Sequence, residues 1–212
     1  MAEDPDNHRF WFPAHEAGHA VVAIDAGLIP AFIRQDFSPV DPVGQTAFVE
    51  GGSIPMVLML RIAAAGIAGE LLVRELEQSS IPEDAMEKAA LNRAKSDRKE
   101  YATGIDIGSL LGDHPPGTTP GQAIRSAILK TAINQSRPVI RKNLELFHTI
   151  RSTLATSEFV GRASIVKILK GKKPSAFDLR LDRKQEERFR ANSQDPTFPL
   201  TWKEYMRASV GL

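Results

Sequence analysis

The feature that most constrains this chain is a short segment near its N-terminus that carries two histidines and a glutamate. Residues 14–20 read AHEAGHA and contain one complete H-E-x-x-H pattern. Residues four apart on an α-helix lie on one face, so a helix here would direct the imidazole nitrogens of His15 and His19 at one metal ion. Glu16 would stand where its carboxylate can reach a metal-bound water and act as general base. Imidazole ligation with three protein ligands and one open position is typical of catalytic zinc (Zn2+), so a third ligand is expected further along the chain.

The residues around this pattern predict a buried helix. Small and apolar side chains occupy most positions from 14 to 24, which suits a helix packed tightly against a neighbour. Pro13 can open the helix in its first turn, and Gly27 followed by Pro30 predicts its end. The alternative interpretation is two ordinary helix histidines with a surface glutamate between them.

Composition argues against several other classes of protein. A length of 212 residues fits one domain, with or without a tail, and the net charge of +1 gives no argument for binding nucleic acid or a membrane surface. The absence of cysteine excludes disulfides and cysteine-ligated zinc, and it favours a cytoplasmic location. The acidic N-terminus does not resemble a signal peptide. The most apolar run, residues 55–73, is interrupted by Arg61 and Glu70, so no membrane span is expected.

The remaining chain predicts helices and one small sheet. Two strand-like segments, residues 31–37 and 45–49, flank a proline-bearing turn and predict a hairpin directly after the first helix. Such a hairpin can pair its edge with an extended peptide, or it can be purely structural. Helices are expected over residues 55–77, 83–102 and 122–155, with Pro138 opening a second helix in the last range, while residues 104–121 are expected to form a loop. Residues 157–159 together with Ile165, Ile168 and Leu169 suggest a last short helix.

The second predicted helix is a natural partner for the first. Residues 63–69 read AAAGIAG, and such small side chains let two helices approach closely. Glu70 ends this run. Its carboxylate could face the metal site or begin the solvated half of the helix.

On these residues the chain resembles the peptidase domain of the FtsH-type zinc proteases. Residues 15–20 match the metal motif of that family, residues 64–70 resemble its following glycine-alanine-glutamate helix, and residues 132–169 resemble its closing helices. The resemblance implies a mainly α-helical zinc-peptidase domain over residues 13–170, with a small β-sheet after the active-site helix. It leaves residues 1–12 as a flexible lead and residues 171–212 as a charged C-terminal tail.

The resemblance also suggests a third metal ligand. In that family the ligand is a downstream helical aspartate, and Asp97 matches best, with a small residue before it and Glu-Tyr-Ala after its two basic neighbours. Asp84 would give a shorter spacing, and Glu70 is the alternative in the manner of proteases that use a glutamate. If Asp97 is the ligand, Glu70 is expected to orient His15 or His19 without binding the metal itself. Among the remaining histidines, only His114 is a candidate for the neighbourhood of the site.

The function that the resemblance implies is a zinc metalloendopeptidase. Glu16 would activate a zinc-bound water to hydrolyse unfolded or flexible polypeptides. Members of the family join this domain to an ATPase ring and a membrane anchor, and neither is found in these 212 residues, so a separate ATPase is a possible partner. The family's hexameric rings suggest a homo-oligomer. Two other hypotheses are a non-catalytic helical binding or regulatory module that retains the fold and, disfavoured by the lack of spans, a membrane-embedded site-2-type protease.

Overall fold

The computed structural model describes residues 4–36, 43–48, 55–94, 97 and 118–192, and within these residues it is mainly α with one small sheet. This confirms the predicted fold class. In chain order the elements are α1 (His8–Asp25), β1 (Pro30–Asp36), β2 (Val43–Phe48), α2 (Met56–Leu76), α3 (Glu83–Arg93), α4 (Thr119–Lys142), α5 (Leu144–Ser157), β3 (Phe159–Gly161), α6 (Arg162–Leu169) and α7 (Ala176–Asn192).

Helix α1 begins earlier than predicted. Asn7 caps it by accepting a hydrogen bond from a first-turn backbone N–H at 3.3 Å, and Pro13 lies inside the helix. Trp11 is fully buried, and its indole N–H donates to the carbonyl oxygen of Asp4 at 2.9 Å. The predicted boundary after residue 12 therefore lies too late, because an aromatic side chain of the expected lead belongs to the core.

The end of α1 is the one that its glycine predicts. Gly27 has a φ of +86°, and the N–H groups of Gly27 and Leu28 donate to the carbonyl oxygens of Ile24 and Ala23, both at 2.9 Å. This pair of bonds is a Schellman motif, which satisfies carbonyls that the helix itself leaves unpaired. The chain then turns directly into β1.

Helices α1 and α2 pack with their backbones in contact. A Cβ at Gly18 would overlap the carbonyl group of Ala65, and a Cβ at Gly69 would come within 2.5 Å of the carbonyl oxygen of Ala14. Most of the alanines on the contacting faces of α1 and α2 are fully buried. The predicted close packing of the two small-residue helices is therefore confirmed.

Helix α2 is also the one helix in the described part of the chain that is long and apolar enough to cross a membrane. Its mean hydropathy over the best window is 1.9, and 67% of that window is buried against the rest of the protein. A buried core helix passes the same test of length and composition, so this is weak evidence for a membrane span.

Two other helix boundaries differ from the prediction. Pro138 lies inside α4, and the break falls at Asn143, whose side-chain amide donates to the carbonyl oxygen of Val139 and to Asp25 Oδ1, both at 3.0 Å. Helix α3 ends at Arg93 rather than near residue 102. His114 and residues 104–117 of the predicted loop lie outside the described residues, and α4 begins at Thr119, inside the range predicted as loop.

The sheet has three antiparallel strands in the order β2-β1-β3. Strand β3 was not predicted, because three residues are too few to show an alternating pattern. Phe159 in β3 pairs with Arg34 in β1, and its ring stacks on that of Phe32 with centroids 5.6 Å apart. The sheet thus joins the predicted hairpin to the C-terminal helices.

Part of the predicted C-terminal tail is folded onto the body. Helix α7 packs against β3 and α6, and its Asp182 is only 2% exposed. A Cβ at Gly161 would overlap the Asp182 carboxylate, so the two elements are in close contact. Residues 193–212 of the expected tail lie outside the described residues.

The packing of α1 on α2 predicts that Gly18→Ala destabilises the protein. The added methyl group would strike backbone atoms that no rotamer change can move, so we expect a loss of about 1–3 kcal/mol in the free energy of unfolding. Urea unfolding followed by circular dichroism measures this loss. Ala127→Leu, at an exposed position of α4, is the control and should change the stability by less than about 0.5 kcal/mol. Equal stability of the Gly18→Ala variant and the wild type would contradict the close contact.

Candidate metal centre

The two histidines of the motif face the same buried space between α1 and α2. His15 and His19 are 2% and 5% exposed, and their ring centroids are 4.7 Å apart. Asp97 meets them from the segment after α3: its Oδ2 atom lies 2.8 Å from His15 Nε2 and 3.3 Å from His19 Nε2. One ligand atom from each of the three residues lies within 4.8 Å of the others. This group could hold a metal ion.

The outer nitrogens of both rings are already engaged. His19 Nδ1 lies 2.6 Å from the carbonyl oxygen of Ile62, and His15 Nδ1 lies 2.6 Å from Glu70 Oε1. A carbonyl oxygen can only accept, so Nδ1 of His19 carries the hydrogen and donates it. In a neutral ring this leaves the lone pair on Nε2, which points toward Asp97. Both imidazoles are therefore oriented as metal-binding histidines are, with the outer nitrogen held by an acceptor.

The inner nitrogen of His15 is packed closely against α2 at a glycine. Gly66 in α2 lies beside His15, and a Cβ at this position would overlap His15 Nε2. Two imidazole nitrogens and one carboxylate form a donor set that suits zinc among the divalent metals. An ion held in tetrahedral geometry by these three residues would keep a fourth position for a water or substrate.

Without a metal, the histidines and Asp97 hold one another in charged form. Burial lowers the pKa of His15, but its hydrogen bonds to Asp97 and Glu70 outweigh burial and raise the pKa to about 10. Burial also lowers the pKa of His19, but the nearby Asp97 carboxylate outweighs it and raises this pKa above its usual value. Burial raises the pKa of Asp97, yet the two imidazoles outweigh burial and hold this pKa well below its ordinary range. A metal ion would replace the protons on Nε2, so its binding should release protons.

Glu16 lies next to this group under the β1–β2 hairpin. It is 3% exposed, and its Oε2 atom accepts a hydrogen bond from the Thr46 hydroxyl at 2.6 Å. A Cβ at Gly44 would overlap the Glu16 carboxylate, so strand β2 covers this side chain directly. Burial raises the pKa of Glu16, against the opposing charges of His19 and His15. A buried carboxyl group with a raised pKa suits the transfer of a proton.

The structure separates the three candidates for the third ligand. Asp97 joins the two histidines, whereas Asp84 lies exposed in the first turn of α3, outside this group. Glu70 is fully buried, but its carboxylate meets His15 at Nδ1, on the side of the ring away from Asp97. His148 is exposed on α5.

Several site residues were not identified from the sequence. Thr46 lies in a predicted strand and Arg93 in a predicted helix, and nothing local marked either one. The Arg93 guanidinium donates to Glu70 Oε2, through Nε at 2.9 Å and through a terminal nitrogen. Gly66 had a visible signal, because it interrupts a run of alanines in a helix.

Neither the comparison with protein-family models nor that with curated proteins finds a match for this chain. The resemblance to the FtsH-type peptidases therefore stays a prediction that rests on the residues named above.

The geometry predicts which aspartate controls metal content. We expect the purified protein to carry about one zinc ion per chain and Asp97→Ala to lose most of it, because two histidines alone bind zinc weakly. Asp84→Ala removes a carboxylate of the same kind from an exposed turn and should keep the zinc. Elemental analysis after gentle purification compares the three proteins. Loss of zinc from Asp84→Ala with retention in Asp97→Ala would refute the arrangement.

Proposed function

We propose that the protein is a zinc-dependent endopeptidase that cleaves flexible or unfolded polypeptides. One observation carries the proposal: a buried carboxylate, Glu16, lies beside a group of two histidines and one aspartate that could hold a metal with an open position. Water activation by a zinc ion and a neighbouring carboxylate is the chemistry of H-E-x-x-H hydrolases. The resemblance to FtsH-type peptidases supports the same reaction.

Each residue of the site has a role in this reaction. Zinc, when bound by His15, His19 and Asp97, would polarise the scissile carbonyl group and lower the pKa of a water molecule. Glu16 would take a proton from the attacking water and give it to the leaving amine.

Strand β2 supports a polypeptide as the substrate. In the described sheet β2 is an outer strand that pairs only with β1, and its Thr46 contacts Glu16. An extended peptide that adds to this edge would run past the general base with its backbone held in place. Edge pairing recognises the main chain and needs an unfolded segment, which agrees with a substrate that is flexible or has been unfolded by a separate ATPase.

The main alternative is a non-catalytic helical module that retains the peptidase fold. The retained Glu16 argues against it, because a binding module has no use for a general base beside the metal ligands. Zinc content below about 0.2 per chain in wild-type protein would favour this module. The cytoplasmic location and the homo-oligomer remain predictions from sequence.

Replacing the general base should separate metal binding from catalysis. We expect Glu16→Gln to keep its zinc and its fold but to lose casein hydrolysis by at least about 100-fold, because the amide cannot accept the proton of the water. Zinc content and the release of labelled peptides are measured on the same sample. Glu145→Gln, at an exposed position of α5, should leave both unchanged. Full activity of a zinc-replete Glu16→Gln sample would rule out the proposed mechanism.

The hydroxyl group of Thr46 should matter for turnover. Thr46→Val keeps the shape of the side chain but removes the hydrogen bond that orients Glu16, so we expect kcat to fall about tenfold with zinc content unchanged. Steady-state kinetics on a peptide substrate measures the effect. A change confined to KM would instead assign Thr46 to substrate binding, against the role in holding Glu16.

A further inference from the structure

Arg93 is a buried charge next to the metal site that the reaction itself does not use. It is the last residue of α3, and its side chain is 1% exposed. Its guanidinium donates through Nε and one terminal nitrogen to Glu70 Oε2, and through the other terminal nitrogen to the carbonyl oxygen of Pro5. A charge buried this deeply needs partners that satisfy it, and here they come from α2 and from the N-terminal segment.

The Glu70 carboxylate is divided between Arg93 and His15. Its Oε2 atom accepts from Arg93, while its Oε1 atom lies 2.6 Å from His15 Nδ1. The guanidinium, with two nitrogens on this one oxygen, fixes the position of the carboxylate. Glu70 in turn sets the tilt of the His15 ring and keeps the hydrogen on Nδ1, which leaves Nε2 for a metal. Arg93 therefore acts on His15 through one intervening side chain.

Arg93 also lies four residues before Asp97 in the chain. Helix α3 ends at Arg93, and the ion pair with Glu70 ties this helix end to α2. Loss of the ion pair would detach the end of α3 from α2, and the chain leads from this end to Asp97. His15 and Asp97 are two of the three residues that would bind the metal, and they lie on separate elements. Both thus depend on the Arg93 guanidinium.

We infer that Arg93 is a positioning residue of the metal centre, which sets metal affinity through Glu70 and through the end of α3. The inference rests on the metal site of the proposed function but not on the peptidase reaction. The same guanidinium holds Pro5, so it joins the N-terminal segment, α3 and α2 at the wall of the site.

Metal affinity of the full-length protein tests this role. Arg93→Met keeps the length of the side chain but removes its charge and donors, and we expect zinc affinity, measured by competition with a chromophoric chelator, to fall about 10- to 100-fold. Arg74→Met is the matched control: Arg74 lies one turn after Glu70 on α2 and donates to the carbonyl oxygen of Ile81 at 2.6 Å, whereas the Glu70 carboxylate contacts Arg93 and His15. The zinc affinity of Arg74→Met should stay within about twofold of the wild-type value.

A double-mutant cycle tests the path through Glu70. In a Glu70→Gln background, Arg93→Met should weaken zinc binding much less than in the wild type, because the guanidinium no longer has a carboxylate to position against His15. If the two substitutions have fully additive effects on zinc affinity, Arg93 does not act through Glu70 and the inference is overturned. Replacement of zinc by Co2+ adds a second readout, since the visible absorption of the bound ion should change in Arg93→Met and not in Arg74→Met.

Arg93→Lys keeps the test decisive if the methionine variant does not fold. Lysine retains the charge but cannot make the forked contacts to Glu70 and Pro5 together, so its zinc affinity should lie between those of the wild type and the Glu70→Gln variant. Wild-type affinity in a folded Arg93→Lys or Arg93→Met protein would overturn the inference. A wild-type protein that binds no zinc would instead refute the proposed metal site itself, so the two failures are distinguishable.

Discussion

The backbone contact between α1 and α2 is the constraint on which the rest of the site depends. Gly18 and Gly69 let the two helices meet where side chains would hold them apart. At this separation Gly66 stands beside Nε2 of His15, and Glu70, one turn later on the same face, meets Nδ1. Both ends of one imidazole ring are therefore set by a single neighbouring helix.

The charges of the site are consistent with a cation in its centre. Asp97, Glu70 and Glu16 are all acidic, whereas Arg93 is the only permanent cation among the described contacts around them. Buried acidic groups are costly unless they are paired. In the structure the histidines supply the pairing, which is why the pKa of His15 rises to about 10. A divalent cation would supply the same compensation and leave both imidazoles neutral.

Local patterns predicted much of the fold. The small-residue helices, the end of α1 at Gly27 and the hairpin were visible because each depends on residues close together in the chain. Strand β3, the docking of α7 and the break at Asn143 were not predicted. Each of these exists because of a partner far away in sequence: β3 pairs with β1, and Asn143 donates to Asp25. The continuation of α4 through Pro138 likewise shows tertiary packing outweighing a local signal.

The sequence by itself determined which two histidines and which glutamate lie together. A helix over residues 14–20 must bring His15 and His19 onto one face with Glu16 beside them, because the helical repeat alone dictates it. Which acid completes the group was decided only by the tertiary structure. The resemblance favoured Asp97 but left Asp84 and Glu70 open, and only the fold shows Asp97 beside the histidines and Asp84 in solvent. The contacts that complete the site join residues 43 to 82 positions apart, and no local pattern encodes such distances.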